Sequence, residues 1–187
     1  MNLRADVSAN LKASIRTIGR VALGVLVLAV AGPADAAGEK AVAEIKLANG
    51  SSAGTVTLTD VSSGVLLAFD LKGLPPGAHA FGVHEGGKCE GDFSSAGPTY
   101  NPLGAQHGFM NDEGPMAGDL PNIVAGPDGT ARAEMMTTYL HFNVGADDTL
   151  FDADGSSLVI YDKADDYRTD QDGSGEKRIA CGVIKQQ

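Results

Sequence analysis

The 187-residue sequence predicts an all-β domain, a sandwich or barrel. Three observations carry this. Apolar and polar residues alternate at period two in successive short segments, which places one face of a strand in a core and the other in water. Gly numbers 25 and aromatics make up only 5%, with no Trp, a composition suited to β-branched packing and many turns. No segment carries a helical stripe of apolar residues.

The first element is an address rather than a fold. Arg4, Lys12, Arg16 and Arg20 precede the apolar run Val21 to Ala31, which is followed by Gly32, Pro33 and Ala34-Asp35-Ala36. Charged, apolar and small-residue zones in that order make a secretory signal with an A-x-A cleavage site, and eleven apolar residues are too few to span a bilayer. Cleavage after Ala36 is expected, giving a signal over 1–36 and one domain over 37–187. A retained anchor helix is the alternative. The expected location is the periplasm or the exterior, with no membrane contact after cleavage.

Strands follow in order. Ala43, Ile45 and Leu47 alternate with Glu44 and Lys46; Val56 and Leu58 alternate with Thr55, Thr57 and Thr59; Val65, Leu67, Phe69 and Leu71 are interleaved with Ala68 and Asp70. Further strands are expected at 79–84, 130–136, 155–162 and 178–184. Pro75-Pro76-Gly77, Asp128-Gly129 and Asp154-Gly155 supply turn chemistry between them. Two connections are long: 85–119, rich in Gly, Pro and Asp, and the acidic 163–177. Loops of that length within a domain are ordinarily functional or disordered.

Export also decides how the two cysteines are read. In an oxidising compartment Cys89 and Cys181 are expected to form a disulfide, with free buried thiols as the alternative. Charge excludes further classes. The chain has 14 Lys+Arg against 24 Asp+Glu, a net charge of −10. Residues 1–36 hold four of the basic and two of the acidic side chains, so the mature chain stands at −12. No basic cluster is present to displace phosphate counterions, which excludes a sequence-independent nucleic-acid binder and a basic membrane-surface protein.

Four stretches carry a resemblance: GAHAFGVHEGGKCEGDFSSAGPTYNP (77–102), HGFMNDEGPMAGDLPN (107–122), DGSSLVIYDKADDYRTD (154–170) and RIACGVI (178–184). In order and spacing they resemble the copper/zinc superoxide dismutase family, especially its bacterial periplasmic branch. The resemblance implies an eight-stranded Greek-key β-barrel, a metal-carrying loop at 85–119, an electrostatic loop at 163–177 and a disulfide.

It also implies metal positions, and most of them are altered. The family holds copper with four His, one of which bridges to zinc, and completes the zinc site with two more His and an Asp. Side chains two apart on a strand share a face, so an H-x-H pair aims two imidazoles at one ion. Here that pair reads Gly82-Val83-His84, the bridging position is Thr99, and the fourth copper position is Tyr161. On the zinc side His107 and Asp119 are kept and Met116 replaces a His. Arg178 stands where the family arginine attracts the superoxide anion; a structural hydrogen-bonding role near Cys181 is the alternative. His79 matches a His that hydrogen-bonds the framework, and on a regular strand it faces away from His84. His141 falls outside every matching stretch.

Dismutation requires a metal that cycles between oxidation states, hence several imidazoles able to hold both Cu(I) and Cu(II). Zinc has no second accessible state. A Met116 thioether suits Cu(I), whereas Tyr161 ligates only as a phenolate, from an ordinary pKa of about 10. The sequence therefore leads to an exported, superoxide dismutase-like protein that is catalytically degenerate, with a binding or structural role. The alternatives are a dismutase with a non-standard metal site, or a residual copper or zinc carrier using His84, His107, Met116 and Asp119. Copper or zinc is expected only at weak or incomplete sites. The sequence permits a homodimer and identifies no protein partner.

Overall fold

In the computed structural model, residues 38–142, 149–169 and 177–187 are described, and Ala36–Gln187 belong to one compact unit. The signal expected over 1–36 lies outside the described residues, as does the 170–176 part of the acidic loop.

Eight strands are present: β1 Lys40–Leu47, β2 Ser52–Val61, β3 Gly64–Leu71, β4 Gly77–His84, β5 Asp119–Ala125, β6 Ala131–Thr137, β7 Ser157–Tyr161 and β8 Arg178–Gln186. They form one antiparallel sheet in the order β5-β4-β7-β8-β1-β2-β3-β6, and its two ends, β5 and β6, meet to leave a nearly closed barrel. β1, β2 and β3 run as a meander. The chain then crosses to lay β4 and β5 at the far end, returns with β6 beside β3, and crosses again to insert β7 between β4 and β8. This is a Greek-key path.

The alternation read from sequence is the burial pattern observed. Ala41, Ala43 and Ile45 of β1 are buried while Lys40, Glu44 and Lys46 are exposed. Val56, Leu58, Val65, Leu67 and Leu71 complete that side of the core, and Leu158, Ile160 and Ile184 the other. Each such side chain contributes about 1.5–3 kcal/mol relative to exposure.

Three corrections arise. Alternation predicts seven strands, and the eighth, β5 (DLPNIVA), carries Pro121 and Asn122 where apolar alternation would be needed. Proline lacks the N–H a ladder requires, and β5 tolerates it because it is an end strand bonded only to β4. The strand expected at 155–162 is shorter, and it is buried along its whole length, a pattern with no alternation to read. The connection from β6 to β7 is also long, a third such segment besides the two expected.

Candidate functional site

β4 pairs with β7 on one side and β5 on the other, so residues far apart in sequence meet along it. His84 closes β4, Tyr161 closes β7, and Thr99 returns from the long loop to form an isolated bridge with His84. His84 is 1% exposed. Its Nδ1 lies 2.9 Å from the Gly97 carbonyl, so the Nδ1–H donates there and Nε2 keeps its lone pair. That lone pair accepts the Tyr161 hydroxyl at 3.0 Å. Burial lowers the His84 pKa to about 4, overriding the Gly97 hydrogen bond that raises it, and the Arg178 charge lowers it further. The imidazole is neutral at neutral pH.

Gly82 sits between Asp119 of β5 and Val159 of β7. A Cβ here would stand 3.1 Å from the Gly118 carbonyl, so a larger side chain requires the neighbouring backbone to give way. Arg178 donates to the carbonyls of Phe93 at 2.7 Å and Gly97 at 2.8 Å, and its guanidinium carbon lies 5.9 Å from the Tyr161 ring centroid. The Gly97 carbonyl thus receives N–H groups from both His84 and Arg178. The Cys89–Cys181 disulfide ties the same loop to β8, with Cα atoms 5.7 Å apart.

His79 lies at the start of β4, its ring between two backbone carbonyls, with Nδ1 2.8 Å from Tyr161 O and Nε2 2.7 Å from Pro75 O. It therefore braces the backbone of the residue whose hydroxyl His84 engages. His141 is half-buried on the segment after β6 and belongs to neither cluster.

The second cluster is centred on His107. Nδ1 is 2.8 Å from Asp119 Oδ1, and Nε2 is 3.1 Å from Asp165 Oδ2. With a carboxylate at each nitrogen the ring is doubly protonated; the hydrogen bonds to Asp119 and then Asp165 raise its pKa to about 10 against the opposing cost of burial. Asp119 also accepts the Gly108 and Met116 backbone N–H groups on Oδ2, at 2.8 and 3.0 Å. Burial pushes the Asp165 carboxyl up, but the His107 hydrogen bond, the Tyr167 N–H and the His107 charge together hold it below the usual range. Asp165 is absent from the sequence reading. It is one of several acids in 163–177, and only its approach to His107 distinguishes it.

A small concavity between the clusters is lined by Gly82, His84, Thr99, His107, Asp119, Tyr161 and Asp165. The donors here do not fit a copper/zinc pair. At the positions that the resemblance assigns to copper there is one imidazole, and its Nε2 accepts a phenol hydroxyl. At the positions that it assigns to zinc, His107 and Asp119 hydrogen-bond to each other, and Thr99 and Met116 are the other two residues. Among the described residues, no group of three or more His, Cys, Asp or Glu is arranged to hold a metal ion.

The chain matches the family described as copper/zinc superoxide dismutase (SODC) over residues 52–184. Superoxide dismutase [Cu-Zn] 2 of Aquifex aeolicus is 43% identical over 148 residues, covering 78% of this chain and 86% of that protein. Superoxide dismutase [Cu-Zn] of Caulobacter vibrioides is 44% identical over 148 residues, covering 78% and 85%. Among solved structures, a SOD-like protein from Bacillus subtilis superposes with a TM-score of 0.72 at 33% identity, covering 77% of this chain and 97% of that one. Together with the Greek-key barrel, these matches show that the chain belongs to the copper/zinc superoxide dismutase family.

Proposed function

We propose that this chain is an exported, catalytically degenerate member of its family, whose barrel serves a binding or structural role. The observation that carries the reading is the 3.0 Å hydrogen bond from the Tyr161 hydroxyl to His84 Nε2. His84 supplies the one imidazole at the expected copper positions, its Nε2 accepts the Tyr161 hydroxyl, and neighbouring positions supply Gly82 and Thr99. Export is supported by the signal-like order of residues 1–36 and by the disulfide, a bond of oxidising compartments.

The test is a dismutase assay on the processed chain, disulfide intact, after loading with copper and zinc. The expected rate is no greater than that of the same concentration of free copper. A rate well above it, with stoichiometric copper showing several nitrogen ligands by electron paramagnetic resonance, would establish instead a dismutase with a non-standard site, the activity named for the Aquifex and Caulobacter relatives. Calorimetry separates the carrier reading: zinc or Cu(I) binding tighter than about micromolar, about 8 kcal/mol, is required for it.

A further inference from the structure

A metal site commonly couples ligand binding to the folding of the segments that carry the ligands. Here the segments bearing the zinc positions are joined by other means. Besides the His107 hydrogen bonds to Asp119 and Asp165, Asn122 of β5 makes a reciprocal pair with Asp165: its Nδ2–H donates to the Asp165 carbonyl and its Oδ1 accepts the Asp165 N–H, both at 2.9 Å. The Asn122 backbone N–H donates to the Tyr167 hydroxyl at 2.8 Å, and the Tyr167 carbonyl accepts the Met110 N–H at 2.8 Å. The Tyr167 ring packs edge-on against Phe109, with centroids 5.6 Å apart.

The backbone is shaped for this arrangement. Tyr167 has φ 62, a left-handed conformation that an aromatic residue keeps only when its surroundings over-determine it. Opposite it, Gly108 has φ 102, and a Cβ there would run into the Tyr167 carbonyl. Glycine is required at this approach on both counts.

We propose that Asn122, Asp165 and Tyr167 form a metal-independent clasp that holds the 105–119 part of the long loop and segment 163–169 against β5, so that the barrel orders both segments with no metal bound. The inference rests on reading His107 and Asp119 as the zinc positions, and it goes beyond lost catalysis: zinc's structural part has been taken over by side chains of this chain.

The experiment is amide hydrogen exchange by NMR on the full chain after chelator treatment, repeated with excess zinc chloride. Expected is strong protection of the Met110, Asn122, Asp165 and Tyr167 amides in the chelated protein, changed less than about two-fold by zinc, with a Tm shift under about 2 °C. Protection that arises only with zinc, or a Tm rise above about 5 °C, would overturn the proposal. Asn122→Ala should release the Asp165 and Met110 amides while β1 to β3 stay protected. Should that variant fail to fold, Tyr167→Phe, which keeps the ring and removes only the acceptor for the Asn122 N–H, should release the Asn122 amide selectively. Unchanged protection in the folded variants would also overturn the clasp. The dismutase assay is a separate readout: activity there removes the degenerate reading and leaves the clasp standing, whereas zinc-dependent ordering removes the clasp alone.

Discussion

The Tyr161 hydroxyl lies 3.0 Å from Nε2 of His84, so two residues that the family resemblance sets at copper positions bond to each other. The Gly97 carbonyl sets the direction of this bond, because by accepting the Nδ1–H it leaves Nε2 as the acceptor. His79 steadies it from the other side through the Tyr161 carbonyl. The result is a buried hydrogen-bonded pair of ring side chains.

Tyr161→Phe should destabilise the fold by about 1–3 kcal/mol, the cost of leaving a buried acceptor unpaired. The ring remains to pack against Arg178, so the loss reports the hydroxyl. Urea denaturation measures it, and an unchanged midpoint would show that His84 Nε2 finds another donor.

Restoring imidazoles should restore copper affinity only where the backbone has room. Thr99→His with Tyr161→His supplies two and is expected to tighten copper binding at least ten-fold, about 1.4 kcal/mol, read by calorimetry and electron paramagnetic resonance. Adding Gly82→His should instead lower stability, because its Cβ meets the Gly118 carbonyl at 3.1 Å.

Stability should peak near neutral pH, falling on both sides for different reasons. The folded-state pKa of His107 is raised to about 10, so its contribution is fully present below its ordinary value of 6.5 and is lost as pH rises through about 10. The His84 value is lowered to about 4, so its contribution is present above 6.5 and is lost as pH falls through about 4. In denaturant titrations from pH 5 to 10, His107→Gln should flatten the alkaline limb and leave the acid limb unchanged.

Reduction, or Cys89→Ser with Cys181→Ser, should cost about 4–5 kcal/mol on the chain-entropy estimate for residues 92 apart. Comparing denaturation of the oxidised and reduced chains checks this. The segment from Cys89 to Gly97 should lose protection first, since once the bond is gone the Arg178 hydrogen bonds to Phe93 and Gly97 and the packing of Phe93 remain to hold it to β8.

The sequence by itself determined the all-β class, because strand alternation is local: Ala41, Ala43 and Ile45 turn inward wherever their neighbours are polar. Composition likewise determined that six family imidazoles could not all be present in a chain with four His. It did not determine β5, where Pro121 and Asn122 interrupt the pattern, and it left Asp165 indistinguishable from the acids around it. Only the tertiary structure decided that Tyr161 faces His84, that Asp165 closes on His107 and that Asn122 reaches Asp165, contacts spanning 77, 58 and 43 positions. Such partners are chosen by strand order and register, and no local pattern in a chain records them.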